Sequence, residues 1–218
     1  MKECAPVLNT GLRGVTIAST KISDVRGREG KLIYRGYLIS DLAEKTTFEE
    51  IVYLLLYEKL PNEKELKQLK ETLQSQRAIS KNIILALKTR PKDSLPMDIL
   101  QAGVSMLANE DPDIRDTTKD ATRRMALRLV AKLATIVAAW ERIRNGKEPI
   151  DPDPNLDHAA NFVYMLSGND LDPEIFKFMD TALVLHAEHS FNASTFAARE
   201  VSSTRAHIYA AVSAAVGS

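Results

Sequence analysis

The 218-residue sequence predicts an all-α protein entered through a short amino-terminal β-hairpin. Two observations carry that expectation. From about residue 47 onward, apolar residues recur at helical spacing behind recognisable capping residues, whereas β-branched runs broken by glycine are concentrated at the start.

In the hairpin, residues 15–23 (VTIASTKIS) and 31–37 (KLIYRGY) are the expected strands. They flank DVRGREG, where Gly27 and Gly30 supply permissive turn positions. Thr47-Phe48-Glu49-Glu50 then reads as a capping box opening the apolar run Ile51 to Leu56. Pro61 stops that helix, and Asn62 caps the next, with Leu66, Leu69 and Leu73 on one face. Ser80 begins a short helix ending near Lys88. Pro96 suits the first turn of a helix with Met97, Leu100, Val104 and Leu107 at core spacing.

A long helix is expected from about Thr118 to Arg144. Met125, Leu129, Leu133, Ile136 and Trp140 lie along its apolar side, and Asn145-Gly146 ends it. Three prolines keep the following KEPIDPDPN out of helix. Further helices are expected near 157–167 and 173–186, the second capped by Asp172, and then near 192–203 and 207–217. Residues 208–218 carry no charge and place alanine at 210, 211, 214 and 215. A helix small and apolar all round is normally buried. The expectation is that further polypeptide or a partner covers it. The implied division is a tail and hairpin over 1–37 and a large helical domain over 38–218.

Hydrophobic residues form 44% and charged residues 27% of the chain, the balance of a soluble globular protein with a substantial core. Lys+Arg and Asp+Glu both number 29, which argues against a general nucleic-acid binder. Cys4 is the sole cysteine, so no intrachain disulfide or cysteine-rich zinc set is possible, and a reducing, cytoplasmic setting is expected. No apolar signal segment opens the chain. The most apolar long stretch, Leu127 to Trp140, is interrupted by Arg128 and Lys132. It falls short of the roughly 20 apolar residues a membrane span needs, so no membrane partner is expected.

The densest chemistry is His186-Ala187-Glu188-His189-Ser190-Phe191-Asn192-Ala193-Ser194, at the end of one expected helix and the start of another. Three readings fit these residue types. A polar helix junction would use His186 on terminal carbonyls and Asn192 as a cap. A metal site would use histidines three apart, but the HExxH arrangement is absent and no third ligand is identifiable, so no metal is assigned. A substrate pocket would use a histidine N–H to polarise a carbonyl or hold a carboxylate.

The segment HAEHSFNASTFAAREVSST resembles the citrate synthase family pattern HAxHxxNASTFxxR. GLRGVTIASTKISDVRGREGKLIYRGYLISDLAEKTTFEEIVYLLLYEKLP resembles that family's opening hairpin and first helices. LPMDILQAGVSML and IDPDPNLDHAANFVYMLSG resemble an interior helix and a proline loop with its following helix. The four segments stand in family order and cover nearly the whole chain.

The resemblance implies condensation of acetyl-CoA with oxaloacetate, then hydrolysis of citryl-CoA to citrate and CoA, as in the tricarboxylic acid cycle. Acetyl-CoA is a substrate and no cofactor is implied. A base must take a proton from the thioester methyl, donors must stabilise the enolate, and another donor must polarise the attacked ketone. His189 aligns with the family histidine that binds oxaloacetate and polarises its carbonyl. Asn192 matches the motif asparagine, as orienting group or cap, and His186 is a further substrate-side candidate better suited to supporting the helix end. For Arg35 and Arg199, ion pairs or turn-backbone contacts are the expected roles. The family's enolate-stabilising histidine, second catalytic histidine, catalytic aspartate and carboxylate-binding arginines follow the last helix, so no catalytic residue is assignable here and the 218 residues alone are expected to be inactive. Ser94-Leu95-Pro96-Met97-Asp98 also lacks the histidine that usually precedes this proline.

The resemblance further implies a homodimer through the helices near 97–108 and 207–217. Open alternatives are a 2-methylcitrate synthase, a citryl-CoA lyase relative, a non-catalytic dimerisation subunit and a small-anion binding module.

Overall fold

The computed structural model describes residues 18–168 and 172–218. Three short strands, β1 (Ser23–Arg26), β2 (Lys31–Tyr34) and β3 (Tyr37–Leu38), form an antiparallel sheet in sequence order. Ser23 pairs with Tyr34 and Arg26 with Lys31, so β1 begins where the first expected strand was to end. Residues 18–22 are not strand, and residues 15–17 lie outside the described part. The β-branched run misled because register overrode propensity. Arg35 N–H bonds the Ile22 carbonyl at 2.8 Å, and the turn is confined to Gly27–Gly30, leaving Asp24, Val25 and Arg26 in the ladder. β3 was not anticipated. Arg35 and Gly36 both take positive φ (48° and 95°), the two-residue turn that matches strand twist, without the Asn-Gly signal that usually announces it.

Ten helices follow among the described residues. α1 (Ile39–Lys45) was not singled out in sequence: it has no side-chain cap and buries only Leu42. α2 (Phe48–Tyr57) starts at the expected box, with the Glu50 carboxylate accepting the Thr47 N–H at 2.7 Å. Asn62 caps α3 (Glu63–Ser75), Ser80 caps α4 (Lys81–Lys88), and Pro96 is the first residue of α5 (Pro96–Ala108). Thr118 caps the long α6 (Lys119–Arg144). α7 (His158–Ser167), α8 (Pro173–His186), α9 (Ala193–Ser203) and α10 (Ile208–Val216) complete the order.

Helix α6 separates two cores. One face, with Met125, Leu129, Ile136 and Trp140, packs on α4, α5 and α10; Leu127 and Ala131 meet Val52, Leu69 and Leu73 of α2 and α3. On α5 the buried face is Ile99, Val104 and Leu107, whereas Met97 is 54% exposed, contrary to its expected core position. The phase is set by Gly103, whose missing side chain lets α5 approach Ile136 of α6 closely. Helix α10 buries Tyr209, Ala211 and Ser213 while its other positions are half-buried, so it is covered on one side only. A third cluster of Tyr34, Leu42, Ile51, Leu54 and Val184 ties the sheet, α1 and α2 to α8. That cluster positions the histidine junction.

Candidate functional site

Helix α8 ends at His186, and α9 begins at Ala193 behind its cap Asn192. The six residues between are held from below by Tyr34, which is fully buried. Its hydroxyl lies 3.2 Å from the Leu185 carbonyl and 3.0 Å from the Glu188 carbonyl, and it accepts the Glu188 N–H at 3.2 Å. Burial pushes the phenol pKa up, so the group stays neutral as a donor. The Glu188 carboxylate accepts the Ser190 N–H at 2.6 Å and the Ser23 hydroxyl of β1 at 2.9 Å. Ser190 itself adopts φ 61°, a left-handed conformation that turns the chain toward α9.

His189 stands at the centre of this turn, exposed, flanked by two immobilised neighbours. Its ring makes no hydrogen bond among the described residues, so its nitrogens are open to an incoming acceptor or donor. His186 is also exposed, but its Nδ1 lies 2.7 Å from the Ala182 carbonyl of its own helix, a helix-end contact. The Asn192 side-chain oxygen accepts the Thr195 N–H at 2.7 Å, so this atom is committed to capping α9. Arg199 lies over the Phe191 ring, 4.8 Å from its centroid, rather than in the expected ion pair among the described residues. Arg35 donates to the Leu55 carbonyl at 3.2 Å and stands 3.5 Å from Glu58, as expected of a structural arginine.

Tyr34 and Ser23 were not read as parts of the site, and Glu188, though inside the 186–194 segment, was given no role of its own. No local pattern marks Tyr34 and Ser23, since their contacts with Glu188 span more than 150 residues of sequence. Grooves elsewhere include one of about 600 Å³ lined by Tyr53, Tyr57, Glu65 and Leu127, and one of about 200 Å³ lined by Met97, Ile99, Trp140 and Phe162. Neither includes a residue of the 186–194 junction. Among the described residues no His, Cys, Asp or Glu side chains gather as a set that could hold a metal ion, and no helix is long and apolar enough to cross a membrane.

Residues 11–218 match the family model described as "Citrate synthase, C-terminal domain". The chain belongs to the citrate synthase family. Citrate synthase from Acidithiobacillus ferridurans is 40% identical over 217 residues, covering 97% of this chain and 56% of that protein. A 2-methylcitrate synthase from Mycobacterium tuberculosis is 39% identical over 212 residues, covering 97% and 53%. Among solved structures, citrate synthase from Pyrobaculum aerophilum superposes with a TM-score of 0.91 at 35% identity, over 99% of this chain and 59% of that one. The Thermoplasma acidophilum citrate synthase, solved in ternary complex with carboxymethyl coenzyme A and oxaloacetate, gives 0.88 at 30%, over 94% and 54%. The chain spans about half the length of the curated relatives it matches. The fold is the citrate synthase-like helical one that the sequence implied.

Proposed function

We propose that this chain supplies the oxaloacetate-binding histidine of a citrate synthase, which condenses acetyl-CoA with oxaloacetate to give citrate and CoA. One observation carries the reading: His189 is exposed, with no hydrogen bond to its ring among the described residues, at a junction whose backbone is pinned on both sides. A histidine on a pinned backbone, with its ring nitrogens free, can turn an N–H toward a ketone oxygen and polarise it. The matching Thermoplasma protein was solved with oxaloacetate, which supports this substrate class.

In this reading residues 38–218 are the large helical domain behind a 1–37 tail and hairpin, in a cytoplasmic protein. The base, the enolate-stabilising groups and the carboxylate-binding arginines come from polypeptide outside these residues. Helices α5 and α10 form a two-fold contact between copies. The half-exposed small residues of α10, and its seating on α5 through Ser105 and Ser213 at 3.0 Å, support that surface.

Titration of oxaloacetate into histidine-labelled, family-length polypeptide containing this sequence tests the site. The His189 ring signals should shift while those of His186 and His207 move little; an unmoved His189 overturns the assignment. The 218 residues, freed of any longer polypeptide, should release no CoA from acetyl-CoA and oxaloacetate, and measurable turnover would overturn the partial site. Sedimentation at micromolar concentration should find a dimer; a stable monomer counts against the α5–α10 contact. A second reading, 2-methylcitrate synthase, is favoured by the Mycobacterium relative. Comparing acetyl-CoA with propionyl-CoA, on family-length polypeptide containing this sequence, separates the two.

A further inference from the structure

Glu49, Arg77 and His158 are 1%, 1% and 5% exposed in the seam between α2 and α7, and none has a full set of hydrogen bonds. Glu49 Oε1 accepts the His158 N–H at 2.8 Å, which joins the second residue of α2 to the first residue of α7. Glu49 Oε2, His158 Nδ1 and Arg77 Nε have no partner among the described residues. The His158 ring rests on Phe48, centroids 5.1 Å apart. Arg77 Nη1 donates to the Asp153 and Leu156 carbonyls at 3.1 and 2.7 Å, and Asn161 accepts the Asp153 N–H at 2.8 Å. The surrounding ionisable groups are Lys70 of α3, paired with Asp157 at 3.0 Å, and Asp180 of α8, which accepts the Phe48 N–H at 3.0 Å. The nearby acids are therefore engaged with other donors.

A buried polar group left without a partner is costly, and a buried charge is more so. The bond itself is made by the main-chain N–H of His158, but the Glu49 carboxyl and the buried His158 ring beside it can both change charge, in opposite senses. We propose that the Glu49–His158 contact is a proton-sensitive joint: gaining a proton at His158, or losing one at Glu49, releases the start of α7 and the 153–157 loop from α2 while the α5–α6 core stays closed.

Burial, and then the Arg77 charge, lower the His158 pKa from 6.5 to about 4. The closed joint refuses a proton that the open one accepts. Its advantage is complete above 6.5 and is lost as pH falls toward about 4. Burial raises Glu49 above its ordinary 4.5 against the pull of the His158 N–H, so its contribution is complete at low pH and is lost as pH rises through the raised value. Asp180, raised by burial, runs in the same sense as Glu49. The joint is firmest between the two limbs.

Hydrogen exchange of peptides covering 153–165, corrected for intrinsic rates between pH 4 and 7.5, reads the opening directly, with α5 and α6 peptides as the reference. The His158 limb by itself raises the opening constant on the order of a hundredfold between pH 6.5 and pH 4, and Glu49 and Asp180, running the other way, make the net rise in the unaltered chain smaller. His158→Phe should abolish that rise, and Glu49→Gln should keep it while removing the opening at higher pH. An identical acid limb in His158→Phe, or α5 and α6 opening in step with α7, overturns the proposal. So does a native His158 ring that titrates near 6.5 by NMR, a measurement that needs no variant.

Discussion

The hydroxyl of Tyr34, in the second strand, sits 3.0 Å from the carbonyl oxygen of Glu188, in the turn that presents His189. One phenol serves three main-chain groups of that turn, joining the amino-terminal sheet to the proposed keto-acid site.

Replacing Tyr34 by Phe keeps the ring and strands those groups. The variant should lose about 1–3 kcal/mol by denaturant unfolding, with faster hydrogen exchange concentrated at 185–190. A loss spread evenly over the chain would speak against a local tether.

Asn192 separates capping from chemistry. Asn192→Ala should lower stability by about 1 kcal/mol and fray the first turn of α9, whereas Asn192→Asp should restore both. If Asn192→Asp instead loses oxaloacetate binding while remaining fully stable, the side chain contacts substrate as well.

At Gly103 a Cβ would stand 2.9 Å from Ile136 Cγ2. Gly103→Val should cost about 1–3 kcal/mol through overpacking of α5 against α6. Trimming the neighbour with Ile136→Ala should recover part of that loss, and a double-mutant cycle measures the coupling.

Acid should act at the start of α3. The Glu65 pKa is lowered from 4.5 to about 2, first by the bond from Lys59 Nζ at 2.6 Å and then by the Asn62 N–H at 2.9 Å. A depressed carboxylate stabilises the fold above its ordinary 4.5, and the contribution disappears as pH falls toward about 2. Glu65→Gln should flatten that part of the acid unfolding curve, read by helical circular dichroism.

Helix positions were legible because their signals are local. Asn62, Asp172 and Asn192 each cap the helix expected of them, and Ser80 and Thr118 cap the helices expected to begin there, since a cap bonds an N–H only two or three residues away. The 186–194 motif was legible for the same reason, its residues being contiguous. The first strand was misplaced, and Met97 was set in the core, because strand register and helix phase depend on what packs opposite. A period of 3.6 marks a face without saying which neighbour it meets.

Composition and spacing alone were therefore enough to establish a helical chain and its caps, and the resemblance of the 186–194 segment to a known family singled out His189. Only the folded chain decided that Tyr34 and Ser23 hold the turn around His189, and that Glu49, Arg77 and His158 share one buried seam. Such contacts join residues from 76 to 165 apart, and whether a side chain finds its partner is settled by how whole helices pack, not by its neighbours in sequence.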